Sequence, residues 1–154
     1  KMIDLLSEDL IKNEICIVHS DFKPNNIFVD KHGNIIIVDF EFSHIGDPAA
    51  ECWFFIGIYI HYAFSHPEKK YEYFRVMNDF WEAYKRTFEK AWEKWFEKRV
   101  VQHTGVQLLV RLDGAIKFPS SQHDDNLKQL FRSAAEKIIC WKIATLWAMQ
   151  KLFN

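Results

Sequence analysis

The sequence predicts an α+β fold, mainly helical, in which one small β-hairpin interrupts a series of helices. Three observations carry this. Apolar residues recur at helical spacing through much of the chain, as in Leu127, Leu130, Phe131, Ala134 and Ile138. Two short β-branched runs, 27–29 and 35–38, flank Asp30-Lys31-His32-Gly33-Asn34, a turn that contains a glycine. Asp47-Pro48 sets a preferred N-cap before the residue best suited to a first helical turn, directly ahead of an almost wholly apolar stretch.

The elements follow in order. Residues 2–12 place Met2, Ile3, Leu5, Leu6, Leu10 and Ile11 at near-helical spacing, and 15–18 reads as a short strand leading into a loop at His19. The hairpin comes next, and its closure should bring the loop before Ile27 beside Asp39. A buried helix is expected over 48–64, ended by Ser65-His66-Pro67. A second helix should run over 68–90, where Phe80, Tyr84, Phe88 and Trp92 step by four; core packing is the expected use of that stripe. Helices over 100–117 and 124–153 complete the pattern, separated by Phe118-Pro119-Ser120-Ser121. With 154 residues the chain is read as one domain, 1–154, large enough for a core.

Composition narrows the function classes. Apolar residues make up 49% of the chain and aromatic residues 16%, which excludes a disordered chain. The net charge of -1 supplies no global field for nucleic acid or an anionic membrane, so neither is expected as a partner. Lys94, Lys98 and Arg99 read as a solvated helix face. Cys16, Cys52 and Cys140 lie far apart in apolar settings, as reduced core thiols of a cytoplasmic protein do. The longest apolar run, 52–64, is broken by His61 and is too short for a bilayer span. Oligomeric state is left open.

The chemistry concentrates in residues 17–48. His19-Ser20-Asp21-Phe22-Lys23-Pro24-Asn25-Asn26 puts an acid on a loop and an amide five residues on, and Asp39 ends the second hairpin strand eighteen residues after Asp21. Phosphoryl transfer needs an acid to orient the acceptor hydroxyl and hard oxygen ligands for Mg2+ beside the phosphates. Asp21 suits the first role; Asn26 and Asp39 suit the second. Lys23 could neutralise charge on the transferring phosphate, and His19 could brace the loop.

These residues resemble the catalytic core of the protein-kinase-like superfamily. Within it they are most similar to the aminoglycoside phosphotransferase and choline kinase group. Protein kinases carry His-Arg-Asp-x-Lys-x-x-Asn and then Asp-Phe-Gly; here His19, Asp21, Lys23, Asn26 and Asp39-Phe40 are kept. Ser20 replaces the Arg, Glu41 replaces the Gly, and only a few residues separate Glu41 from Gly46-Asp47-Pro48, which leaves no room for an activation loop. Those departures match the small-molecule group, although that group usually has Asp where Glu51 stands. Leu109-Val110-Arg111-Leu112-Asp113-Gly114 also resembles an Arg-x-x-Gly segment of several members, methylthioribose kinases among them.

The resemblance implies a C-terminal lobe of the kinase fold, with the hairpin carrying the catalytic loop and metal site. No Gly-x-Gly-x-x-Gly and no Val-Ala-x-Lys strand occurs, so the N-terminal ATP-binding lobe is expected to be absent. It implies an ATP- and Mg2+-dependent phosphotransferase acting on a hydroxyl of a small molecule, aminoglycoside-, choline- or sugar-like, with this lobe inactive by itself. Catalytic residues would be Asp21, His19 and Lys23, and the nucleotide-bound metal would lie on Asn26 and Asp39. Two other readings stand beside it: a protein kinase, and a kinase-fold scaffold without catalysis.

Overall fold

The computed structural model describes residue 12 and residues 15–88, 94–113 and 125–139. The helix expected over 2–12, Trp92, Cys140, Gly114 and the far ends of the two last helices lie outside them. The described residues are mainly helical with two small antiparallel sheets, which agrees with an α+β fold.

Strand β1 (Cys16–Val18) pairs with β4 (His44–Gly46), matching Cys16 to Gly46 and Val18 to His44. β4 carries no sequence signal of its own, because His44-Ile45-Gly46 is too short to show alternation. Gly46 is required where the strands meet: a Cβ there would stand 2.7 Å from Val18 Cγ2 and 2.9 Å from His44 Nε2. The hairpin forms as expected from β2 (Ile27–Val29) and β3 (Ile35–Ile37). Gly33 takes φ 84° at its turn, a conformation that glycine adopts without steric cost. The Asp30 carboxylate holds that turn through the amides of His32 and Asn34 and the Asn34 side chain, and these bonds keep its pKa low.

Helix α1 (Pro48–Ser65) begins at Asp47, whose carboxylate accepts from the Ala49 amide at 2.9 Å. A short 3-10 turn (Pro67–Lys69) leads into α2 (Lys70–Thr87). That helix stops before residue 90 because Phe88 turns extended (φ -116°, ψ 101°) to set its ring on the core. α3 spans Lys94–Asp113 and α4 spans Asp125–Ile139. α1 is the central helix, flanked by α2 and α3, with α4 against α3. Ile56, Ile60, Met77, Phe96, Leu108 and Phe131 are fully buried where they meet. Burial of this kind contributes about 1.5–3 kcal/mol for each large apolar side chain.

Phe80, Tyr84 and Phe88 of the aromatic stripe pack against the core, as its spacing suggested, and Tyr84 stacks near Phe96 with centroids 6.1 Å apart. Arg99 departs from the expectation of a solvated basic face. It is buried on the inner side of α3 and paired with Asp47. It shares a helical stripe with Phe96 and His103, and the charges at 97 and 98 disguise that stripe in the sequence.

One face is unlike the rest. Ile17, Phe28, Val29, Ile35, Phe40 and Ile45 are all exposed on the two small sheets and the turn after them. No described helix is long and apolar enough to cross a membrane.

Candidate active site

The loop 19–26 is built from its backbone outward. Ser20 adopts φ 67°, in the left-handed region that non-glycine residues rarely use. Its amide is then turned to donate to Glu51 Oε1 at 2.8 Å, so the first turn of α1 holds the loop. Glu51 therefore reaches the loop in spite of being longer than the usual Asp. His44 adds a second brace: its Nδ1 donates to Phe42 O at 2.9 Å and lies 3.2 Å from Ser20 Oγ.

His19 is buried, and its Nε2 stands 2.8 Å from Val38 O. A carbonyl only accepts, so Nε2 carries the hydrogen and Nδ1 is left to accept from the Asp21 amide at 3.3 Å. The ring thus ties the loop to the end of β3, against Phe40 at 4.7 Å between centroids. Phe22 anchors the other side of the loop between Phe55 and Phe80. Both ring nitrogens of His19 are thus engaged with the backbone of the loop and the end of β3.

Four of the expected residues meet in one place. Asn26 Nδ2 donates to Asp21 O and Asp21 Oδ2, each at 3.0 Å, and lies 3.3 Å from Asp39 Oδ2. Lys23 Nζ reaches Asp21 Oδ2 at 2.5 Å. The Val38 amide donates to Asn26 O at 3.1 Å, so closure of the hairpin is what brings Asp39 to the loop. Asp39 has φ 72° and ψ 52° and begins a 3-10 turn (Phe40–Phe42), yet its side chain makes no capping bond. A turn-capping role therefore does not explain it. Two left-handed non-glycine residues within one site are held there by their surroundings, at a cost of order 1–3 kcal/mol each.

The donor chemistry fits Mg2+. Asn26 and Asp39 carry oxygen donors of the kind Mg2+ takes, and in the geometry described the NH2 end of Asn26 faces both acids. Magnesium takes one or two such oxygens and fills its remaining positions with water and phosphate. Among the described residues no set of three or more His, Cys, Asp or Glu side chains is arranged to hold a metal. The Arg111 guanidinium also feels Asp21: burial lowers its pKa, while the Asp21 carboxylate and Tyr62 oppose the change.

A model of the phosphotransferase enzyme family matches residues 4–99, more than half of the chain. The chain belongs to this family. No curated protein matches the sequence. The family match takes in the whole loop, the hairpin, α1 and α2, so it covers the stretch whose residues carry the resemblance to aminoglycoside phosphotransferases and choline kinases. It supports a kinase-like phosphotransferase in general terms.

The sequence reading passed over two positioning groups. Arg99 had one available signal, a cation on a helical stripe that also holds Phe96 and His103. The link between His44 and Ser20 had none, since it depends on the pairing of β1 with β4.

Proposed function

We propose that the chain is the C-terminal lobe of an ATP- and Mg2+-dependent phosphotransferase acting on a hydroxyl of a small molecule, aminoglycoside-, choline- or sugar-like. The observation that carries this is the meeting of Asp21, Asn26 and Asp39 within hydrogen-bond reach, on a loop and strand end held by unrelated contacts. Asp21 orients the acceptor hydroxyl and takes its proton. The acceptor oxygen bonds to the transferred phosphorus as the phosphorus–oxygen bond to the departing ADP breaks. Lys23 is placed to fix the Asp21 carboxylate and to balance charge near it. Asn26 and Asp39 would hold Mg2+, which supplies charge neutralisation at the phosphate oxygens when bound.

The exposed apolar face over the two sheets supports a second lobe that seats there and clamps the nucleotide. On this reading residues 1–154 turn over poorly alone. A protein kinase is favoured only by Lys23. Against it, the chain passes from Phe42 into β4 after a single residue, with no activation segment. Cys16 and Cys52 are free thiols, which suits a cytoplasmic location.

The test is transfer from Mg-ATP by the intact protein to panels of hydroxyl compounds and peptides, with Asp21→Ala alongside. Loss of the acid should lower kcat roughly 10^2- to 10^4-fold and leave nucleotide affinity unchanged. Transfer that survives the substitution sinks the assignment of Asp21. Transfer to peptides alone favours the protein kinase, and nucleotide binding without any transfer favours a scaffold.

A further inference from the structure

A row of aromatic rings runs from the catalytic loop along α1. Phe22 lies between Asp21 and Lys23 in the chain, and its ring sits 5.6 Å from Phe55 and 6.3 Å from Phe80 between centroids. Phe55 meets Tyr59 at 4.7 Å. Tyr59, Tyr62 and Tyr73 then close a triangle with sides of 5.9, 6.2 and 5.7 Å. Glu51, Phe55, Tyr59 and Tyr62 follow one another at helical spacing and share one face of α1. The catalytic loop lies over the start of that face, where Glu51 holds Ser20 and Phe55 meets Phe22. The tyrosines stand one to two turns farther on, about 6–10 Å along the helix axis from Phe55. All three are partly exposed, and none of their hydroxyls has a hydrogen-bond partner among the described residues. Packing alone is served by phenylalanine, as it is at Phe22, Phe55 and Phe80. The row changes to tyrosine where it leaves the loop and opens to solvent. Burial, and then Tyr62 and Tyr73, push the Tyr59 phenol up, so it stays a neutral hydroxyl.

Resting on the phosphotransferase reading above, we propose that Tyr59, Tyr62 and Tyr73 seat the body of the acceptor, and that this body is a flat unsaturated ring, an aryl group or a heterocycle, carried by the alcohol whose hydroxyl meets Asp21. Rings 5.7–6.2 Å apart are already in contact, so a ligand lies on them and not between them. A quaternary ammonium is held instead by rings that stand apart and surround it. The triangle offers both aspects of an aromatic surface: Tyr59 and Tyr62 stand at 83° to each other, and Tyr73 is tilted from them by 53° and 45°. A further flat ring can stack offset on one of these and meet the edge of another, the two arrangements that aromatic groups prefer. The phenols then take the polar atoms of a heterocycle. The span from the loop to the triangle calls for an alcohol with its hydroxyl at one end of a two-ring body and the flat ring at the other, as in a nucleoside or an aryl glycoside. Simple polyols and choline are too short to reach from Asp21 to the tyrosines.

The experiment uses the intact protein, Mg-ATP and acceptors that share a hydroxyl-bearing part but differ in the ring: phenyl β-glucoside against methyl β-glucoside, and uridine against ribose, with choline and glucosamine beside them. ADP release is followed. The ring-bearing acceptor should exceed its partner in kcat/KM by about tenfold or more. Tyr62→Leu, and separately Tyr73→Leu on the other helix, should raise KM for the ring-bearing acceptor roughly 5- to 50-fold with kcat nearly unchanged, because the stacking is made equally in the ground and transition states. Tyr62→Phe and Tyr73→Phe keep the ring and should keep most of the preference. Tyr71→Leu, at a tyrosine of α2 that is 68% exposed and outside the triangle, should change none of these values. Equal kcat/KM within each pair, preference for choline or glucosamine, or a ring preference that survives both leucine variants overturns the proposal while the phosphotransferase reading stands. No ADP release with any acceptor counts against the phosphotransferase reading itself and takes this proposal with it.

Discussion

The Asp47–Arg99 pair is the contact on which the entry to α1 depends, and its removal should be costly. Both side chains are almost fully buried, at 2% and 7% exposure. One carboxylate oxygen of Asp47 caps α1 through the Ala49 amide and the other meets Arg99, so a single side chain serves the helix start and the α1–α3 contact. Arg99→Met keeps the apolar bulk but strands a buried carboxylate. Breaking one side of a buried pair costs about 3–5 kcal/mol. Asp47→Asn keeps a capping oxygen and removes the carboxylate that faces Arg99, and should also lower stability. A domain is stable by only about 5–15 kcal/mol, so either change should shift a urea midpoint clearly. In the double variant neither charge is left alone, and it should be more stable than the sum of the single losses predicts, by about 2 kcal/mol or more. Urea unfolding of the four proteins decides it. Single losses below about 1 kcal/mol, or losses that add within about 0.5 kcal/mol, would refute the reasoning.

Other outcomes follow from the same geometry. Glu51→Ala removes the acceptor of the Ser20 amide and should cost about 1–3 kcal/mol in stability, with a fall in turnover of the intact protein; Glu51→Gln keeps an oxygen and should largely restore both. His61 is buried between α1 and α4, and its pKa is pushed down to about 4, first by desolvation and then by Arg111 and His66. A depressed folded pKa means that the unfolded chain binds the proton first. Stability from this group is thus whole above about pH 6.5 and lost as pH falls toward 4, by at most about 3 kcal/mol. Urea titrations across that window should slope less in His61→Phe than in the wild type; equal slopes would remove His61 as a cause. In a Cys140→Ser background Cys16 should react with a thiol reagent, and Cys52, fully buried with its pKa driven up, should react only on unfolding.

Much of the fold was legible because its signals are local. Asp47-Pro48 announced α1, Gly33 announced the hairpin turn, and the β-branched runs on either side of it became β2 and β3. The acid–amide–acid spacing located the meeting of Asp21, Asn26 and Asp39, because a hairpin fixes where its two ends lie. Three features were not legible. β4 is three residues long and exists by pairing with β1. The left-handed backbone of Ser20 and Asp39 is imposed by tertiary contacts, and neither residue type demands it. The burial of Arg99 depends on a carboxylate more than fifty residues away, which periodicity cannot register.

The central claim is that Asp39 and Asn26 hold the metal for a transfer that Asp21 directs. Single-turnover transfer by the intact protein, measured against Mg2+ concentration, tests it most directly. Asp39→Asn should move the Mg2+ midpoint upward by about tenfold or more and slow transfer even at saturating metal, since a carboxylate ligand is lost beside the phosphates. A variant whose Mg2+ dependence and transfer rate match the wild type would contradict the account.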